Sequence, residues 1–396
     1  MDALVTNGSS RVAYTALRSL STLGLRVAVA DTGSLGMSQW SKFCRRKYTY
    51  ADPFMLPESF IEDLNRILRD SNANFLLPVM LETEVLAKYR DRLPDGVILP
   101  IASYEKIRTV NDKHVMASLA KNIGVNVPEV IIWHDWDELE DKLKGSNSPL
   151  VVKLRRGHEA MGIYYPADTK ETLALCRDLA ARYSLGPDKM PIVQRRVGGE
   201  KWMVSCLYYE GRKITSFTQK TLRQKPATGG VSTLRVSMRN NLLEAYAEKM
   251  LDSLSWHGIA SVEFKYDGET GEGWFIEINP RLWTSIGNAP AAGVDLVALL
   301  YIASTEGLDK ALGMVRPQRL GVVSRWWLGD AALAFSEARR LSWFSSLKLL
   351  LPGGADVYDE FSMDDLSASA GLFAGHLSHH INADKKPHEL KRWELD

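Results

Sequence analysis

The sequence predicts an α/β domain on a small parallel sheet, then an α+β region of mostly antiparallel strands, then a C-terminal appendage. Three observations carry this. Strand and helix signals alternate over the first hundred residues, the rhythm of a parallel sheet with crossover helices. From about 110 to 305 strand-like runs follow one another with few helices between them. The chain has 396 residues, more than one core needs, so two or more domains are expected.

The elements follow in order. ALVTN (3–7) and RVAVAD (26–31) are strands around the helical spacing of RVAYTALRSLSTLG (11–24). KYTYAD (47–52), the helix PESFIEDLNRILRD (57–70), NFLLPV (74–79) and GVILP (96–100) complete the first sheet. A dinucleotide site is rejected here. NGSSRVA after the first strand has one glycine where the fingerprint needs three, although Asp31 ends the second strand where a ribose-binding acid would stand. NDKHVMASLAKNIG (111–124) is a helix capped by Asn111 or Asp112 and stopped by Gly124. VPEVIIW (127–133) is a strand, DWDELEDKLKG (135–145) a helix, and SPLVVKLRRGHEAMGIYY (148–165) strand, loop, strand. KETLALCRDLAARY (170–183) is a helix, and residues 191–222 are a run of strands turning at Glu210-Gly211. NNLLEAYAEKMLDSLSWHG (240–258) is an amphipathic helix leading into the hairpin ASVEFKYDGETGEGWFIEINP (260–280). GVDLVALLYIA (293–303) is a buried helix. In the tail, 316–327 reads as a strand, 332–351 as a helix packed on the main body, and 376–396 as a frayed terminus.

Composition narrows the function. The net charge of +1 favours neither nucleic acid nor an anionic membrane as partner. Three widely spaced cysteines, Cys44, Cys176 and Cys206, make neither a disulfide framework nor a zinc site. No apolar run reaches the roughly 18–20 residues that span a bilayer, and the start MDALVTNGSS lacks signal-peptide character. A cytoplasmic protein is expected.

The hairpin carries the chemistry. Alternation in GWFIEINPR (273–281) puts Ile276 and Ile278 on one face and Glu277 and Asn279 on the other. Glu263, flanked by Val262 and Phe264, points the same way from the partner strand. Two carboxylates at matched positions repel and raise each other's pKa unless a cation sits between them. Magnesium is the expected ion where phosphate is also bound, since it takes few carboxylates and shares substrate oxygens. Asn279 adds a neutral oxygen, and Arg281 is placed to meet phosphate. Lys153 follows Leu-Val-Val on a buried strand, a costly place for an ammonium without an anion.

EINPR with its upstream Glu resembles the magnesium-binding end of the ATP-grasp superfamily, in its carboxylate–amine ligase branch. The resemblance covers residues 1 to about 305. It implies a pre-ATP-grasp domain over 1–108, a lid region over 109–196 and a metal-binding subdomain over 197–305, followed by the appendage 306–396. ATP would be clamped between two antiparallel sheets. Lys113 and Lys153 match the family's two phosphate-binding lysines. RRGHEAMG (155–162) corresponds to the glycine-rich flap but has only Gly157 and Gly162, with Arg155 or Arg156 available to phosphate or substrate. Gln194 and the main chain from Arg195 to Val197 match the adenine-binding hinge, and Glu200 the ribose-binding acid. Glu263, Glu277 and Asn279 would hold magnesium, as two ions, with Mn2+ an acceptable substitute.

The activity this implies is attack of a small-molecule carboxylate on ATP to give an acyl phosphate, then coupling to an amine with release of ADP and phosphate. Lys153 and Arg281 would offset the charge of transfer. KTLRQKPATGGVSTLR (220–235) is the expected substrate loop, with Arg235 holding a carboxylate, Arg223 and Lys225 adding charge, and Gly229 and Gly230 allowing close approach. Trp283, Thr284 and Ser285 would wall the pocket. The resemblance also implies a homodimer. A small-molecule kinase and a non-catalytic nucleotide-binding module are the alternatives.

Overall fold

The computed structural model describes residues 1–144, 148–157, 162–225, 230–336, 343–351 and 353–382. Strands β1 (Ala3–Val5), β2 (Val27–Asp31), β3 (Cys44–Thr49) and β4 (Phe75–Leu77) form the first sheet in the order β3-β2-β1-β4, all parallel. β1, β2 and β4 are buried throughout, as strands covered on both faces must be. GVILP is not a strand. It contributes one parallel bridge, Ile98 to Phe75. Asp31 accepts the Ser9 and Thr32 N–H groups at 2.6 Å each, so it fastens the loop after β1.

A small antiparallel sheet follows, β5 (Val130–Ile131), β6 (Leu150–Lys153), β7 (Ile163–Tyr164) and β8 (Ile192–Arg195), in the order β5-β8-β6-β7. Helices Trp136–Leu143 and Thr169–Arg182 pack on it through Leu139, Leu143, Cys176 and Leu179. The N-caps Asp135 and Asp168 each accept a backbone N–H of their helix's first turn. Asp112, rather than Asn111, caps the helix Lys113–Asn122, accepting from His114 and Val115.

The third sheet has seven strands, β9 (Glu200–Tyr209), β10 (Arg212–Lys225), β11 (Val231–Ser237), β12 (Gly258–Tyr266), β13 (Gly273–Asn279), β14 (Val323–Arg325) and β15 (Val357–Tyr358). Their order is β13-β12-β9-β10-β11-β14-β15, antiparallel except for β14–β15. One face packs on helices through Trp202, Val204, Cys206, Phe264, Phe275 and neighbours. Part of the other, including Met203, Leu207 and Phe217, joins the core shared with the first sheet. At the outer side of β13, Phe275 N–H donates to Asn126 O at 2.8 Å.

The tail differs from expectation in detail. The strand ends at Arg325, and a helix, Trp327–Ser336, starts where strand was expected. The helix expected over 332–351 divides into this one and Trp343–Leu350, with 337–342 outside the described residues. Helix Leu366–Asn382 occupies part of the expected frayed end; 383–396 lie outside the described residues. The tail packs on the first domain: Asp359 pairs with Arg11, and Asp365 accepts from Ser41 Oγ and from Lys42 N–H. No described helix is long and apolar enough to cross a membrane.

Candidate active site

The small sheet and the seven-stranded sheet face each other across a cleft of about 320 Å³, within the range of small-molecule sites. Its floor is the β12–β13 hairpin. Glu263 and Glu277 are register partners there, as the alternation requires. Their Oε1 atoms both lie against the Asn279 amide, whose Nδ2 donates to Glu263 at 3.4 Å and to Glu277 at 3.5 Å. Arg281 Nη2 donates to Asn279 Oδ1 at 3.2 Å, and the guanidinium is buried. The hairpin therefore brings together all four of its expected site residues.

Cations surround the pair. Lys201 Nζ lies 2.6 Å from Glu263 Oε2, and Lys113 Nζ lies 3.9 Å from Glu277 Oε2. Lys113 also donates to Gly157 O at 2.9 Å. Burial pushes the Glu277 carboxyl up, but Lys113, Lys201, Lys153 and Arg281 together outweigh it and hold it below the usual carboxylate range. Lys153 comes from the opposite sheet. It is buried and donates to Gln194 Oε1 at 2.8 Å. Burial, reinforced by Lys113 and opposed by Glu277, lowers its pKa to about 8. An ammonium held this way lacks the anion that would repay its desolvation.

At the hinge, Arg195 and Val197 line the cleft with Gln194. The Arg195 N–H is committed to Glu129 O and the Arg196 N–H to Pro149 O, each at 2.8 Å. Val197 main chain makes no hydrogen bond within the described residues, so it is the part of the hinge open to a ligand edge.

Several expected residues are not brought to the cleft. Glu200 pairs in the β9–β12 register with Tyr266 and shares strand parity with buried Trp202, whereas the cleft face carries Lys201 and Met203. Its carboxylate pairs with Lys220 at 2.6 Å. A ribose-binding role is therefore not supported by its position. Arg235 is wholly buried beneath β14 and the segment after β15, where Asp359 takes its guanidinium. It holds an internal carboxylate instead of a substrate's. Arg223 likewise pairs with Asp330 at 3.1 Å. Arg155 and Arg156 are tied to Asp112 and Glu84, at 2.6 and 2.5 Å. Gly229, and 158–161 of the flap, lie outside the described residues.

The far wall carries Trp283, Thr284 and Ser285, as expected, with Met203 beside them. Trp283 is buried with its indole N–H unpartnered among the described residues, and Ser285 Oγ accepts from Gln219 at 2.6 Å. Lys201 was missed by sequence reasoning. The alternation of EKWMVSC (200–206) would have found it, since Lys201 stands opposite in parity to the apolar Trp202, Val204 and Cys206.

Fold and site together define a two-sheet clamp closing on a cationic cleft with paired carboxylates on its floor, a build suited to a polyphosphate and a divalent ion. Residues 110–285 match the family model of the ATP-grasp domain. Among solved structures it resembles Rhizobium etli pyruvate carboxylase, at 18% identity and TM-score 0.64 over 82% of this chain and 30% of that one. It also resembles an L-amino acid ligase from Bacillus licheniformis, at 15% identity and TM-score 0.61 over 80% and 77%. Acetyl-CoA carboxylase 2 of Oryza sativa subsp. japonica is 32% identical over 101 residues, 23% of this chain and 4% of that protein. The chain thus spans a small fraction of both carboxylases.

Proposed function

We propose that the protein is an ATP-dependent ligase that activates a small-molecule carboxylate as an acyl phosphate and couples it to an amine, releasing ADP and phosphate. The observation that carries this is the convergence of Glu263, Glu277 and Asn279 beneath Lys113, Lys153, Lys201 and Arg281. The donor set fits magnesium. It offers two hard carboxylates and, with the Asn279 amide turned so that its oxygen rather than its NH2 faces them, a neutral oxygen. Bound there, the ion would neutralise phosphate charge during transfer. Lys153 and Arg281 supply fixed positive charge toward the same region without reorganising, the main electrostatic means of lowering such a barrier. The Val197 main chain would meet the base. The far wall of Met203, Trp283, Thr284 and Ser285 would hold the carboxylate's body and exclude water.

The test is trapping. With ATP, magnesium, hydroxylamine and a panel of carboxylic acids, a ligase yields a hydroxamate together with ADP. A stable phosphorylated product with no hydroxamate would identify a kinase instead.

Lys153 also predicts a pH effect on binding. Its pKa in the free protein is about 8, so the ammonium is largely charged at pH 7 and largely neutral at pH 9. ADP affinity, measured by calorimetry, should fall by roughly tenfold between these pH values, and in Lys153→Met it should change far less. The stability sign follows the same shift. The unfolded chain holds the Lys153 proton up to 10.5 and the native one only to about 8, so the destabilisation this residue causes is full below pH 8 and fades as pH rises toward 10.5.

A further inference from the structure

The four carboxylate oxygens on the cleft floor are not equivalent. The two Oε1 atoms converge on Asn279. The two Oε2 atoms face lysines, Glu263 toward Lys201 at 2.6 Å and Glu277 toward Lys113 at 3.9 Å. A single divalent ion would sit on the convergent side, with the Asn279 amide turned to offer its oxygen in place of the NH2 that now lies there. A second would need the outer oxygens, and the closer of these already carries an ammonium.

Lys201 is held in place from two directions. Besides Glu263, its Nζ donates to Gly230 O at 3.2 Å, at the end of β10–β11 hairpin. Its side chain is 19% exposed, so it has little solvent to swing into. It projects from the cleft face of β9, beside Met203, which pairs with Glu263.

We propose that this cleft takes one divalent ion with its nucleotide, Lys201 supplying at the outer oxygen of Glu263 the charge that a second ion would bring. The inference rests on the ligase reading for the presence of a nucleotide, and it replaces the two ions expected from the superfamily resemblance. Lys201 acts through Glu263, as a positioning residue.

The test counts ions. Mn2+ is titrated into equimolar chain and a non-hydrolysable ATP analogue, and bound ion is read from loss of the free-ion electron paramagnetic resonance signal. Wild type and Lys201→Arg should saturate at one Mn2+ per chain, and Lys201→Gln at two. Two ions in the wild type would overturn the proposal, as would a Lys201→Gln chain that binds the nucleotide and stays at one. Failure of the wild type to bind the nucleotide at all would instead overturn the ligase reading.

Discussion

Glu277→Gln is expected to lower ATP-dependent turnover by about a hundred- to a thousandfold, the usual effect of removing one preorganised electrostatic group. The substitution keeps size and shape and removes one charge. It leaves the Oε1 pair with a single carboxylate to grip a divalent ion, and it leaves Lys113, Lys153, Lys201 and Arg281 facing one acid instead of two. Metal-free nucleotide should bind at least as well, because the cleft becomes more positive. Nucleotide with magnesium should bind less well. The measurement is phosphate release across the carboxylate panel, with circular dichroism as the check on folding. Full turnover in the folded variant would mean that Glu277 is not part of the metal site.

The second large effect concerns stability. Asp359→Ala should destabilise the protein by about 3–5 kcal/mol, the cost of leaving a buried charge without its partner. Asp359 pairs with Arg11 of the first domain's helix Arg11–Thr22 and with Arg235 of the large sheet. Arg235 is fully buried, and its Nε and Nη1 have no partner among the described residues, so it depends on this one carboxylate. Replacing the fully buried pair, Arg235→Met with Asp359→Leu, should recover part of the loss, since well-packed apolar groups often match a buried ion pair, while Arg11 still loses its pairing with Asp359. Urea unfolding midpoints decide it. The double variant also tests the correction at Arg235. Retained hydroxamate formation fits a structural arginine, and its loss in a well-folded chain would return Arg235 to the substrate site.

The contrast between these residues shows what the sequence could disclose. Glu263, Glu277 and Asn279 were legible because a strand alternates with period two and a tight hairpin fixes which residues oppose each other. Lys153 was legible because a cation after three apolar residues is expensive. Both arguments use only neighbours along the chain. Arg235 was not legible, because its partner lies 124 residues away on a segment whose docking depends on the whole fold. Glu200 was assigned by resemblance, against the strand parity that its own neighbours Lys201 and Trp202 display. The first sheet and the hairpin were read from periodicity. The tail was not, because a strand of three residues and one of two carry too little pattern to register.

Those short tail strands bear on how the protein behaves at high concentration. An open row of backbone N–H and C=O groups at the border of a sheet is a template for other chains, and long flat borders invite fibrils. Here one border is the two-residue β15, and the opposite one is partly occupied by Asn126. The seven-stranded sheet therefore offers little template at either side, and accretion of further copies through strand addition is disfavoured by its own architecture.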